Sequence, residues 1–170
     1  ATAPTTTVNS IALSSDTGSS SSDGVTSSGI QTISATLSAP LVTASGSVSA
    51  EQLWASTNNG ASWTNITGSV TGTSVSWATS LSGSGTIVMQ VRDAAGNTGT
   101  TSTGRSYVID TSAPSKTVSG IALSSDTGSA NNDGIANTGT QTITATLSGS
   151  LAAASGSASA EELWASTDNG

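Results

Sequence analysis

The side chains in this sequence that could do chemistry are few and of nearly one kind. There is no His and no Cys, so neither a Ser-His nor a Cys-His nucleophile pair can be assembled, and the single Lys116 sits in no lysine-activated serine motif. What remains is acidic: ten Asp and Glu stand against three Lys and Arg, for a net charge of −7. The aspartates fall in turn-forming runs: Asp16 in Ser-Asp-Thr-Gly, Asp23 before Gly24, Asp93 with Asn97 in Asp-Ala-Ala-Gly-Asn, and Asp110 before Thr-Ser-Ala-Pro. Hard carboxylate and amide oxygens are what calcium takes, about six to eight at a time, and no soft ligand competes here. The same side chains also suit bonds within their own turns. Paired carboxylates for glycoside hydrolysis are formally present, but a turn motif accounts for each aspartate, and no enzyme is expected. No Gly-rich loop runs into a helical pattern, so phosphate cradling has no support.

Composition bounds the partners. Binding a nucleic-acid backbone requires clustered Lys and Arg, which the chain lacks. The acidic balance opposes an anionic membrane surface, and no apolar run approaches the roughly 20 residues needed to span a bilayer. Ser, Thr, Gly and Ala saturate the sequence, yet its apolar residues are periodic and only 8% of residues are charged, which favours a folded β-protein over a solvated tail.

The elements that position the aspartates come as a repeat. Ile11-Ala12-Leu13-Ser14-Ser15-Asp16-Thr17-Gly18 returns letter for letter as Ile121-Ala122-Leu123-Ser124-Ser125-Asp126-Thr127-Gly128, and Asp23 returns as Asp133. A shift of 110 aligns residues 1–60 with 111–170 without a gap, with 38 of the 60 pairs identical. A period of this size suits one compact domain rather than a solenoid unit, so residues 1–112 are read as a complete repeat and 113–170 as the first half of a second.

Within one repeat, Val8–Leu13, Gln31–Leu37, Glu51–Thr57, Ala61–Thr67, Ser74–Ser80, Thr86–Arg92 and a last segment ending at Ile109 read as seven short strands. Gln31–Leu37 alternates, with Ile33, Ala35 and Leu37 facing inward. Leu53 and Ala55 are also inward, which places Trp54 on the outer face; Trp63 and Trp77 are assigned to the core. Asn58-Asn59-Gly60 is a hairpin turn that tolerates positive φ. Glu51, Glu161 and Glu162 are read as solvated strand charges that blunt an edge. The expected fold is an all-β, seven-strand antiparallel sandwich, with the second copy supplying its first three strands.

At this point the sequence resembles a known family. Leu13-Ser14-Ser15-Asp16-Thr17-Gly18, Asp23-Gly24-Val25-Thr26, Gln31-Thr32-Ile33, Asn59-Gly60-Ala61-Ser62-Trp63, Val91-Arg92-Asp93-Ala94-Ala95-Gly96-Asn97 and Tyr107-Val108-Ile109-Asp110-Thr111-Ser112-Ala113-Pro114 follow the order and spacing of bacterial immunoglobulin-like repeats in giant secreted surface adhesins. The resemblance implies tandem immunoglobulin-like sandwiches at the bacterial cell surface, acting as extenders between an anchored end and a distal ligand-binding end, with calcium at domain junctions. In a sandwich of this kind, Asp16 and Asp23 share a pole with Asp110, while Asp93 and Asn97 of the next domain face that pole. Asp126 and Asp133 then repeat the first pair. An outer-face Trp54, and with it Trp164, could stack on a sugar or a neighbouring chain, or cover cross-strand neighbours. Two functions stand at this stage: an extender repeat whose partners are its neighbouring repeats, or a contact module that self-assembles laterally into a fibre or surface layer or binds glycans.

Overall fold

The computed structural model of the chain describes residues 2–155 and 158–168. They divide into two compact units, one of residues 1–112 with 155–159, the other of 113–154 with 160–170. Secondary structure is almost wholly β. The described residues contain no α-helix and one 3-10 turn, Thr67–Ser69.

The first unit carries β1 (Val8–Ala12), β2 (Val25–Thr26), β3 (Ile30–Leu37), β4 (Glu51–Ser56), β5 (Thr64–Asn65), β6 (Val70–Thr71), β7 (Ser74–Ser80), β8 (Ser84–Asp93) and β9 (Arg105–Ile109). They form a four-stranded sheet ordered β1-β3-β7-β6 and a five-stranded sheet ordered β2-β9-β8-β4-β5. Every pairing is antiparallel except that of β2 with β9. Strict alternation along β3 buries Gln31, Ile33, Ala35 and Leu37 and turns Ile30 to solvent. β8 is buried more continuously, at Ile87, Val88, Met89 and Val91. Val8, Ile33, Ala35, Leu37 and Val75 from the first sheet join Leu53, Ala55, Ile87, Met89, Val91, Tyr107 and Ile109 from the second in one apolar cluster, closed by Ile66 and Leu81. The arrangement is sandwich-like: two sheets share one core, and each fully buried aliphatic side chain contributes roughly 1.5–3 kcal/mol.

Three expectations need correction. The unit has nine strands, because Val25–Thr26 and Val70–Thr71 each pair over two residues, too few to carry an alternation pattern. The predicted strand over Ala61–Thr67 shrinks to Thr64–Asn65, since Ile66 turns inward with its N–H on the Leu53 carbonyl (2.8 Å) and the chain then enters the 3-10 turn. Trp63 is not a core residue: it is half-buried outside the apolar cluster, whereas Trp77 packs against the cluster's margin.

The second unit carries β10 (Val118–Leu123) and β11 (Ile143–Leu147), paired antiparallel. The expected third strand is not formed, for residues 161–166 have no ladder. In the first unit the matching strand β4 is held between β8 and β5, and the described part of the second unit has a counterpart of neither. One irregularity recurs. The register of β1 slips between Asn9 and Ala12, with Ser10 at φ 57°, and that of β10 slips between Ser119 and Ala122, with Gly120 at φ 60°.

Candidate functional site

The loop from Ser14 to Thr32 holds two of the sequence-predicted metal ligands, and Gln31 organises it. Gln31 occupies an inward position of β3 and is 2% exposed, so its amide must be satisfied internally. Ser14 Oγ and Ser15 N–H donate to Oε1 (3.1 and 3.0 Å), and Nε2 donates to the carbonyls of Ser15 (2.9 Å) and Ser28 (2.7 Å). The Thr32 N–H then closes on Ser14 Oγ (2.9 Å). Asp16 points into the loop it precedes. Its Oδ2 accepts the Gly24 N–H at 2.9 Å and Arg105 Nη2 at 3.0 Å, while Arg105 Nη1 reaches the Ser22 carbonyl at 2.9 Å. This ion pair ties the loop to β9, and it was not anticipated because the partners lie 89 residues apart. Asp23 Oδ1 accepts the Val25 N–H (2.9 Å), and Gly24 takes φ 86° where a side chain would strike the Ser106 carbonyl.

The matching loop of the second unit repeats this pattern. Gln141 accepts from Ser124 Oγ and Ser125 N–H and donates to the carbonyls of Ser125 and Thr138. Asp126 accepts the Gly134 N–H and Asp133 the Ile135 N–H. In both loops the other oxygen, Oδ1 of Asp16 and of Asp126, is buried without a partner, as is Arg105 Nε.

The other predicted ligands are engaged separately. Asp110 accepts from Ser159 Oγ (2.5 Å), Ser159 N–H (2.6 Å) and Ser112 N–H (2.9 Å), and these bonds, the Ser159 hydroxyl foremost, hold its carboxyl down to about 2. Asp93 caps its own turn. It accepts the N–H groups of Ala95 (2.9 Å) and Asn97 (2.8 Å) and the Asn97 side-chain amide (2.7 Å), and that amide is the main reason its carboxyl lies below the ordinary range, burial opposing it. No three acidic side chains among the described residues come close enough to share an ion. Calcium takes roughly six to eight oxygens; each loop has one buried carboxylate oxygen without a partner, Oδ1 of Asp16 or of Asp126, and in the first loop the Arg105 cation stands on the other oxygen of Asp16.

The glutamates differ from expectation. Glu51 is not a solvated charge, because its Oε2 accepts Thr6 Oγ1 (3.3 Å) and the Val42 N–H (3.0 Å). Glu161 does the same work on the Ala152 N–H (2.8 Å), which is the first cause of its lowered pKa. The recurrence of Glu51 as Glu161, 110 residues on, was the available signal. Glu51 faces Asp93 across the β4–β8 ladder beside a groove of about 580 Å³. The lowered pKa of Asp93 does not fit the protonated member of a glycosidase pair.

On the outer face of the five-stranded sheet, Arg92 lies between two indoles, its Cζ 4.8 Å from the ring centroid of Trp54 and 4.8 Å from that of Trp63. Its Nε donates to Gln90 Oε1 (3.2 Å), and Gln90 is anchored on the Gly99 carbonyl (2.9 Å). Trp54 therefore covers a cross-strand neighbour, while Trp164 is 78% exposed. Sequence reasoning placed Trp54 outward but missed the ladder by sending Trp63 to the core.

No family model, curated protein or solved structure matches the chain. No helix among the described residues is long and apolar enough to cross a membrane.

Proposed function

We propose that the chain consists of bacterial immunoglobulin-like extender repeats of a secreted surface adhesin or matrix protein, stacked sandwiches that lend reach rather than chemistry. The observation that carries this reading is the inward use of polar side chains. Asp16, Asp93 and Glu51 each hold the backbone of their own unit, and the Gln31 network is built a second time around Gln141. Trp54 and Trp63 stack on Arg92 of their own sheet, which favours an extender over a fibre-forming or glycan-binding contact module.

The test uses a protein carrying several such repeats. Deleting one whole repeat shortens its maximum dimension in X-ray scattering and leaves binding at its distal end intact. The Trp54→Ala variant leaves adhesion unchanged; a large loss of adhesion with the circular dichroism intact would replace the extender by the contact module. Calcium is a separable part of the reading. Excess chelator leaves the melting temperature and dimension unchanged if the loops stand as described, and a melting temperature raised by millimolar calcium would show that the Asp16 loop opens to take the ion.

A further inference from the structure

Asn59–Gly60 is the one Asn–Gly pair among the described residues, and such a pair is prone to cyclise into an imide and deamidate. Glycine has no side chain to shield its amide nitrogen, which can attack the preceding side-chain carbonyl. Asn59 is exposed at φ 57°, and Gly60 follows at φ 89°. The attacking nitrogen is nevertheless occupied. The Gly60 N–H donates at 2.8 Å to Oγ of Ser56, a residue only 2% exposed, and the same hydroxyl accepts the Asn58 N–H (3.2 Å) and donates to Asn58 Oδ1 (2.8 Å). Asn58 in turn binds Ser62 through both side-chain atoms, and the Asn59 N–H is held by the Thr86 carbonyl (2.9 Å).

The chain holds two related pairs among its described residues, Asp23–Gly24 and Asp133–Gly134, which form the same cyclic imide by loss of water. There too the glycine amide is donated to a side-chain oxygen, Gly24 to Asp16 Oδ2 (2.9 Å) and Gly134 to Asp126 Oδ2 (3.0 Å). In all three places a side chain four or eight residues upstream holds the proton that cyclisation must remove and fixes the nitrogen's direction.

We propose that these hydrogen bonds protect the backbone against spontaneous imide formation, and that Asn59 is the deamidation site exposed when the Ser56 bond is lost. In the step resisted, the Gly60 nitrogen bonds to Asn59 Cγ and gives up its proton, and the carboxamide nitrogen leaves as ammonia. Water then opens the imide at either carbonyl, leaving aspartate or isoaspartate and one added negative charge. The isoaspartate product runs the main chain through the β-carbon, which lengthens a turn that positions Asn59 on Thr86 and Gly60 against the Trp63 ring. The inference is independent of the extender reading, since it concerns the durability of the turn whatever the chain carries.

The full chain is incubated in mildly alkaline buffer and Asn59 deamidation is followed by site-resolved mass spectrometry, folded and in guanidinium. Folded wild type is expected to react more slowly than the denatured chain. Ser56→Ala is expected to react faster than folded wild type by about 2- to 10-fold, the equivalent of one ordinary hydrogen bond. Ser62→Ala, which removes the bond from Asn58 Nδ2 to Ser62 Oγ in the same turn but touches neither Ser56 nor Gly60, keeps the wild-type rate. Equal rates for folded and denatured wild type, no acceleration in Ser56→Ala, or equal acceleration in Ser62→Ala would each overturn the proposal. Should Ser56→Ala fail to fold by circular dichroism, the folded-to-denatured comparison decides, read with hydrogen exchange at the Gly60 amide.

Discussion

The loop from Ser14 to Thr32 and its counterpart from Ser124 to Thr142 close with matching hydrogen bonds, but the strands beside them meet different fates. Ile33 is 0% exposed and Val8 4%, whereas Ile143 is 57% exposed and Val118 45%. The polar network is satisfied from within about twenty consecutive residues, so it forms in both places. The apolar faces need a second sheet, which the first unit has in β4, β8 and β9 and the described part of the second does not. Local hydrogen bonding and core burial are thus separable here, and a two-stranded sheet with only the former is marginal in water.

The largest expected effect breaks this comparison at the core. Ile33→Ala should destabilise the first unit by about 2–5 kcal/mol, the range for a fully buried aliphatic truncated to Ala. Ile143→Ala, the same change at the matching position of the second copy, should stay within about 0.5 kcal/mol. Denaturant titration of both variants, with amide signals assigned to each unit, checks this; equal losses would mean that Ile143 is covered in solution.

The same separation explains what could be read from the sequence. Alternation is a local signal, so the inward faces of Gln31–Leu37 and of Leu53 and Ala55 were legible, as was the turn at Asn58–Gly60. Trp63 was misplaced because hydrophobicity says nothing about Arg92, which reaches it from β8. The Asp16–Arg105 pair and the parallel pairing of β2 with β9 join segments more than 80 residues apart, and no periodicity reports them. Gln31 was visible as a member of a strand but not as the centre of a knot, although its exact recurrence as Gln141 marked it. The aspartates suit both a metal and their own turns by residue type, and which backbone N–H groups they accept, Gly24 on Asp16 and Ala95 and Asn97 on Asp93, shows only in the folded loops.

An intermediate effect sharpens the comparison through pH. The Asp110 carboxyl is held down to about 2 and that of Asp93 is also lowered, each below its value in an unfolded chain. A lowered folded-state pKa means that the unfolded chain binds the proton more readily, so these groups stabilise fully above the unfolded pKa of roughly 3.9, and the contribution fades as pH falls toward the folded value. Acid titration followed by carboxyl carbon shifts should therefore find Asp93 and Asp110 protonating late, with melting temperature declining over the same window. An Asp93→Asn variant should lose part of that decline. Titration of Asp110 at an ordinary carboxylate pKa would remove Ser159 as its partner.

The smallest effect rests on the repeated bulge. Ser10 and Gly120 occupy matching positions at nearly the same positive φ, 57° and 60°, in strands that slip register at the same place. An L-residue there meets its own carbonyl at a cost near 1–2 kcal/mol, whereas glycine adopts the angle freely but surrenders more entropy on folding, roughly 0.5–1 kcal/mol. The two terms nearly offset, and the difference favours glycine. Ser10→Gly should therefore stabilise the first unit by about 0.5 kcal/mol, and Gly120→Ala should loosen β10 against β11. Melting of the first variant, and exchange at the Ala122 and Thr144 amides in the second, measure the two sides. If Ser10→Gly is destabilising, the bulge of β1 is held by something other than backbone conformation, and its likeness to β10 is one of shape alone.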